Sequence, residues 1–226
     1  MFRLGLVAPG RQEVALPVND TQLFDLATRL NGGMWGAWRE LWDRQASLHG
    51  GLAMRHRVGL RITGDQPAAG LPGGKPAPLQ SPYESDTGEW TWDTGTGVFI
   101  LRAPAARVWC GALGGQTRAA ADTQLQVGTL DAPAPHATVV LVALDGRPIA
   151  TSDRLLLTAL RRAENEGMGF NAERTTGGDQ WGHGPVRVLG LDATLTLPPG
   201  TWWTVETLDA AGQRARIEKT ARNELA

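Results

Sequence analysis

The chain has 226 residues, 42% hydrophobic and 20% charged, which is typical of a globular protein and excludes a disordered or collagen-like chain. Its 22 basic and 23 acidic residues nearly cancel and form no long run of one sign, so nucleic acid is not an expected partner. One cysteine excludes a disulfide framework, and no apolar run is long enough to predict a membrane span or a secretory signal.

The first 63 residues are predicted to form a small N-terminal α/β segment. Two short strands are expected at 2–7 and 13–18, separated by turn residues. Two helices are expected over 19–32 and 35–50. In both stretches apolar side chains recur every three or four positions, and paired glycines follow.

Residues 53–62 alternate between apolar and other side chains, which predicts a half-buried strand. We expect this strand to contribute an additional strand pair or an edge strand. Because its apolar face must be buried, we expect it to join the sheet of the following domain. His56 lies on that face, where a hydrogen-bonded core histidine is the expected role. Residues 64–81 are rich in glycine and proline and are predicted to be a linker or loop.

Residues 82–226 are predicted to form an antiparallel β-sandwich, so the fold class is mainly β. Short apolar runs alternate with turn-forming residues at the spacing typical of sandwich domains. One long polar excursion, 164–185, interrupts this pattern, and a loop of that length is often functional. The expected strands are 89–93, 97–102, 107–113, 124–130, 136–144, 154–160, 186–191, 193–197, 202–209 and 214–219.

No catalytic signature is found in the sequence. It contains no G-x-S-x-G elbow, phosphate-binding loop or H-E-x-x-H motif, and its four histidines lack ligand spacing, so we expect neither metal nor cofactor. Spacing along the chain does not establish the separation that a glycosidase pair needs, so no carboxylate is predicted to be catalytic. The carboxylates weighed for such a pair are Glu84, Asp86, Glu89, Glu164, Glu166 and Glu173.

The nine tryptophans suggest sugar binding, because an exposed indole offers a flat apolar face to a pyranose ring. Trp181, in the polar excursion, is the one expected to be exposed. The same polar groups could instead bond the loop's own backbone, and both interpretations stay open. The residues predicted to bond sugar hydroxyls around Trp181 are Asn165, Asn171, Arg174, Asp179 and His183.

Four motifs within residues 84–209 carry a family resemblance: ESDTGEWTWD, ALDGRPIATSDRLLL, ENEGMGFN and GDQWGHGP. In this order they resemble the C-terminal β-sandwich region of bacterial glycoside-hydrolase-like proteins, whose catalytic unit is a (β/α)8 barrel. Phe170 stands where tryptophan is common, and Gln180 is an insertion. A chain of 226 residues leaves no room for that barrel, so its catalytic carboxylates transfer to no position here.

The resemblance implies a non-catalytic accessory module of a carbohydrate-active enzyme, which binds a polysaccharide or oligosaccharide or supports a (β/α)8 barrel. The alternatives are a free-standing glycoside hydrolase and a structural or interaction domain without glycan affinity. The sequence specifies neither the glycan nor the oligomeric state. An extracellular or periplasmic location is expected if the chain belongs to a longer secreted enzyme.

Overall fold

The computed structural model describes residues 2–21, 24, 28, 54–64, 80–130, 135–172, 176–199, 202–209, 211–222 and 224–225. These residues are mainly in strands, with short 3-10 helices at Phe2–Leu4 and Ile149–Thr151. The strands are β1 (Glu13–Val18), β2 (Arg57–Ile62), β3 (Tyr83–Glu84), β4 (Trp90–Asp93), β5 (Val98–Ala103), β6 (Ala106–Ala112), β7 (Thr117–Ala120), β8 (Thr123–Val127), β9 (His136–Ala143), β10 (Leu155–Leu160), β11 (Ala163–Glu166), β12 (His183–Val188), β13 (Ala193–Thr196), β14 (Trp202–Leu208), β15 (Arg214–Arg222) and β16 (Glu224–Leu225).

The chain divides into two compact units. The smaller is Ala8–Gly95, and the larger is Met1–Val7 with Thr96–Ala226. The predicted linker, 64–81, lies almost entirely outside the described residues, so the predicted domain boundaries stay a prediction.

In the smaller unit, β1 and β2 form a parallel pair, in register from Glu13 with Arg57 to Val18 with Ile62. The two predicted strands are therefore confirmed, but the predicted attachment of β2 to the sandwich sheet is wrong, because β2 pairs with β1. Parallel strands require a long crossover, commonly helical. Most residues of the two predicted helices lie in that crossover and outside the described residues, so the helices stay a prediction.

The predicted strand at 2–7 is wrong. Phe2–Leu4 form a 3-10 helix, and Gly5 adopts a φ of +66°, which an extended strand does not allow. The alternation predicted for residues 53–62 is confirmed around His56, since Met54, His56 and Val58 are half-buried while the residues between them are exposed. It fails at Ile62, which was predicted to lie on the same face but is 63% exposed.

In the larger unit, two antiparallel sheets share one core. The first has the order β10-β9-β6-β5, and the second has the order β16-β13-β8-β7. The core joins Trp109, Val139 and Leu141 of the first sheet to Leu125 and Leu195 of the second. The mainly β, sandwich-like architecture predicted from the sequence is therefore confirmed.

All ten predicted strands of residues 82–226 are present, with ends that shift by a few residues. Four further strands, β3, β7, β11 and β16, were not predicted. They have two to four residues each and sequences such as TRAA and AENE, which are too short and too polar to show a period of two.

Two side chains of β6 link the sheets by hydrogen bonds as well as by packing. Trp109 is fully buried, and its Nε1–H donates to the carbonyl oxygen of Arg118 in β7 at 3.1 Å. Arg107, only 4% exposed, donates to Ala120 at 3.0 Å and to the Asp122 carboxylate at 2.8 Å. A buried guanidinium with this many acceptors is satisfied in its donors and fixes the spacing between the sheets.

Candidate functional site

The predicted binding residues lie on the hairpin formed by β11 and β12 in the larger unit, and on the loop that joins these strands. The strands pair in antiparallel fashion from Ala163 with Val188 to Glu166 with His183. The excursion predicted over 164–185 is therefore shorter than expected, because its two ends are strands and only residues 167–182 form the connection.

Trp181 lies on this loop with its side chain 65% exposed, as predicted. Its carbonyl oxygen accepts a hydrogen bond from Nδ2 of Asn165 in β11 at 2.8 Å. The carbonyl oxygen of the preceding residue, Gln180, accepts one from the Gly169 N–H at 2.9 Å. The backbone beneath the indole is thus anchored to the opposite side of the loop while the ring stays in solvent.

Gly182 is required for this arrangement. It has a φ of +68°, and a Cβ there would lie 2.4 Å from the carbonyl oxygen of Glu166 and 2.7 Å from the nitrogen of Met168. Only glycine accepts both the conformation and the close backbone approach. The second glycine of the GDQWG motif is therefore needed for the backbone geometry of the hairpin.

Three of the predicted sugar-bonding residues bond backbone within the hairpin. Asn165 anchors Trp181, and Asn171 accepts the Thr176 N–H at 3.2 Å. Nδ1 of His183 lies 2.8 Å from the Gly184 carbonyl oxygen, which can only accept, so Nδ1 carries the proton. Asp179 is exposed on the loop, and Arg174 lies outside the described residues.

Asp86, in the SDTGE motif, fastens three segments of the smaller unit together. Its carboxylate accepts the backbone N–H groups of Arg11 at 2.9 Å and Gln12 at 2.8 Å. It also lies 3.0 Å from Nδ1 of His56, whose side chain is 14% exposed. His56 is therefore hydrogen-bonded as predicted, but it is half-buried, whereas a core position was expected.

The pKa of Asp86 falls from 3.8 to about 2 as a result. Burial acts in the opposite direction and raises the pKa, because it disfavours the charged carboxylate. The hydrogen bonds from Gln12, His56 and Arg11, together with the charge of His56, outweigh burial because they stabilise the carboxylate form.

This pKa shift predicts acid sensitivity of the smaller unit. A depressed folded-state pKa contributes stability above the unfolded value of 3.8, and that stability is lost as the pH falls through about 2. We expect the urea midpoint, followed by circular dichroism from about pH 5 to pH 2.5, to fall less steeply for Asp86→Asn than for the unmodified chain.

Glu13→Gln is the matched control, because Glu13 pairs with Arg57 at the surface and its side chain is 49% exposed. It should keep the steep fall. Equal slopes for Asp86→Asn and the unmodified chain would show that Asp86 does not carry the acid response.

Several carboxylates weighed for glycoside hydrolysis are engaged elsewhere. Glu89 accepts the N–H of Ala8 at 2.8 Å, and Glu164 forms an ion pair with Arg162 at 3.1 Å. Asp86 is held ionised at neutral pH, whereas a catalytic acid needs a raised pKa to stay protonated.

The residues of the motif ALDGRPIATSDRLLL also form hydrogen bonds with one another. Asp145 accepts the Asp153 N–H at 2.9 Å, the Ser152 hydroxyl at 2.9 Å and the Arg147 N–H at 3.2 Å. The Asp153 N–H is the largest cause of a lowered pKa at this carboxyl. The motif thus closes the connection from β9 to β10.

Within the described ranges, no three His, Cys, Asp or Glu side chains gather in a way that could hold a metal ion. No helix in the same ranges is long and apolar enough to cross a membrane.

No family model, curated protein or solved structure gives a significant match to this chain. The resemblance to a glycoside-hydrolase-associated β-sandwich therefore rests on the four sequence motifs alone. The function that this resemblance implies stays a proposal.

Proposed function

We propose that this chain is a non-catalytic accessory β-sandwich module of a carbohydrate-active enzyme and that it binds a polysaccharide or oligosaccharide at Trp181. The observation that carries the proposal is an indole that is 65% exposed above a backbone anchored on both sides of the loop. Solvent exposure of a large aromatic ring on an anchored backbone favours recognition of a flat apolar ligand face.

The anchored backbone supports binding in energetic terms. A sugar that stacks on Trp181 does not have to order the backbone beneath the indole first, so less conformational entropy is lost on binding. The exposed side chains of Asp179 and His183 offer neighbouring polar groups for hydroxyls, and Arg174 is a further candidate. Asn165 and Asn171 contribute by holding the loop backbone.

A non-catalytic role is supported by the carboxylates. Asp86, Glu89 and Glu164 are engaged with backbone or with arginine, and the depressed pKa of Asp86 makes it unsuitable as a proton donor. No cofactor enters the proposal.

Affinity electrophoresis through gels that contain plant or algal polysaccharides tests the proposal. At least one polysaccharide should retard the unmodified chain, and Trp181→Ala should migrate as it does in the sugar-free gel. Trp202→Ala is the matched control, because Trp202 is also 65% exposed but lies on β14. Both variants should keep the unmodified melting temperature within about 2 °C, as expected for exposed side chains.

Retention of Trp181→Ala equal to that of the unmodified chain would contradict the proposed surface. A large fall in its melting temperature with unchanged retention would instead place the indole in a structural role.

The second candidate function is to support a (β/α)8 catalytic barrel, and exposed apolar side chains of the larger unit favour it. Leu157 and Leu160 on β10, and Val186 and Val188 on β12, are 42–68% exposed. Exposed apolar groups mark protein contacts when they form a continuous patch. Absence of retention by every polysaccharide, together with co-purification with a (β/α)8 catalytic domain, would favour this role.

A further inference from the structure

A polar cleft lies in the smaller unit, separate from the residues proposed above for glycan binding. Its volume is about 230 Å³, and it is lined by Arg55, Gln80, Pro82, Tyr83, Glu84 and Ser85. Ligand sites are commonly clefts in which a few polar groups converge on an apolar wall.

Backbone contacts hold the sides of the cleft in place. The N–H of Asp86 donates to the carbonyl oxygen of Arg55 at 2.9 Å. Tyr83 and Glu84 form β3, which pairs with β4. Ser85 is buried, and its hydroxyl oxygen accepts the N–H of Trp90 at 3.2 Å. Asp86, which joins three segments of this unit, therefore also holds one side of the cleft in place through its backbone.

Four polar side chains of the cleft form no hydrogen bond or ion pair with any residue that the structure describes. They are the guanidinium of Arg55, the amide of Gln80, the hydroxyl of Tyr83 and the carboxylate of Glu84. The guanidinium donates only, the carboxylate accepts only, and the amide and phenol do both. The residues that line the cleft therefore include both donors and acceptors.

The charges of Arg55 and Glu84 cancel, which disfavours a ligand of either sign. Hydroxyl groups suit this mixture, because each one both donates and accepts. Drug-sized ligands occupy pockets of about 300–1,000 Å³, so a cleft of about 230 Å³ suits a single ring.

We propose that this cleft binds one neutral sugar residue, with Arg55 and Glu84 bonding its hydroxyls. The site requires no residue of the β11–β12 hairpin. Failure of the Trp181 surface would therefore leave this proposal standing, and the converse also holds.

Saturation-transfer-difference NMR titrations with D-glucose, D-galactose, D-mannose and D-xylose test it on the full chain, with D-glucuronate as the charged comparison. At least one neutral sugar should bind saturably, and Trp181→Ala should bind it equally well. Arg55→Met and Glu84→Gln should each weaken binding about tenfold or more, the effect expected from losing a hydrogen bond to a charged group.

Arg61→Met is the matched control, since Arg61 is an exposed arginine of the same unit that does not line the cleft. It should bind as the unmodified chain does. If either cleft variant unfolds, Gln80→Ala replaces it, because Gln80 is exposed and lies outside β3. Absence of saturable binding by all four neutral sugars, unchanged affinity in the cleft variants, or tighter binding of glucuronate would overturn the proposal.

Discussion

Replacing Trp109 with alanine is expected to lower the free energy of unfolding of the larger unit by about 3–5 kcal/mol. The ring is fully buried between the two sheets, so its removal leaves a cavity that both sheets line. The substitution also leaves the carbonyl oxygen of Arg118 without the indole N–H. Urea unfolding followed by circular dichroism measures the change.

Trp109→Phe separates these two contributions. It keeps most of the buried ring but loses the 3.1 Å hydrogen bond, and it should cost about 1–2 kcal/mol. Trp202→Ala, at a site that is 65% exposed, should lower the free energy of unfolding much less than Trp109→Ala does. A loss below about 1 kcal/mol for Trp109→Ala would contradict the description of this core.

Replacing Arg107 with methionine is expected to lower the free energy of unfolding by about 3–4 kcal/mol. Methionine fills much of the space but donates no hydrogen bonds. The carbonyl oxygens of Ala103, Ala106 and Ala120 lose their donor, and Asp122 loses its ion partner. Asp122 is 39% exposed and so remains partly solvated, which keeps the expected loss below the upper end for buried pairs.

Arg118→Met provides the comparison for Arg107→Met. The Arg118 side chain bonds Gln116, two residues earlier in the chain, at 2.8 Å, so its loss should cost about 1 kcal/mol or less. An equal effect of the two substitutions would show that the buried guanidinium does not link the sheets. Arg107→Lys should fall between them, because an ammonium keeps the charge but cannot reach every acceptor.

The mainly β fold was predictable because it depends on local patterns. Runs such as GVFILR and HATVVLVAL are apolar enough to predict strands wherever their partners lie. The partner of β2 was not predictable, because alternation shows that one face must be covered without showing what covers it. The burial of Arg107 was not predicted from the sequence either. Its position two residues before Trp109 was the available signal, because it places both side chains on one face of β6.

The exposure of Trp181 was predictable from its polar, glycine-rich surroundings. The roles of Asn165, Asn171 and His183 were not, because a short polar side chain can bond either ligand or backbone and only geometry decides. Asp86 shows the same limit more strongly. Its partners Arg11 and Gln12 precede it by 75 and 74 residues, and no spacing rule connects positions so far apart.

The most direct test of the proposed glycan-binding surface is a titration followed by the indole N–H signals in a 15N-labelled NMR spectrum. The signal absent from the Trp181→Ala spectrum identifies Trp181, and the Nε1–H of Trp109, buried and bonded to Arg118, serves as an internal reference. On addition of soluble oligosaccharides from the polysaccharide that retards the chain, the Trp181 signal should shift saturably while the Trp109 signal stays in place. A bound state in which the Trp181 signal does not move would contradict the proposed surface.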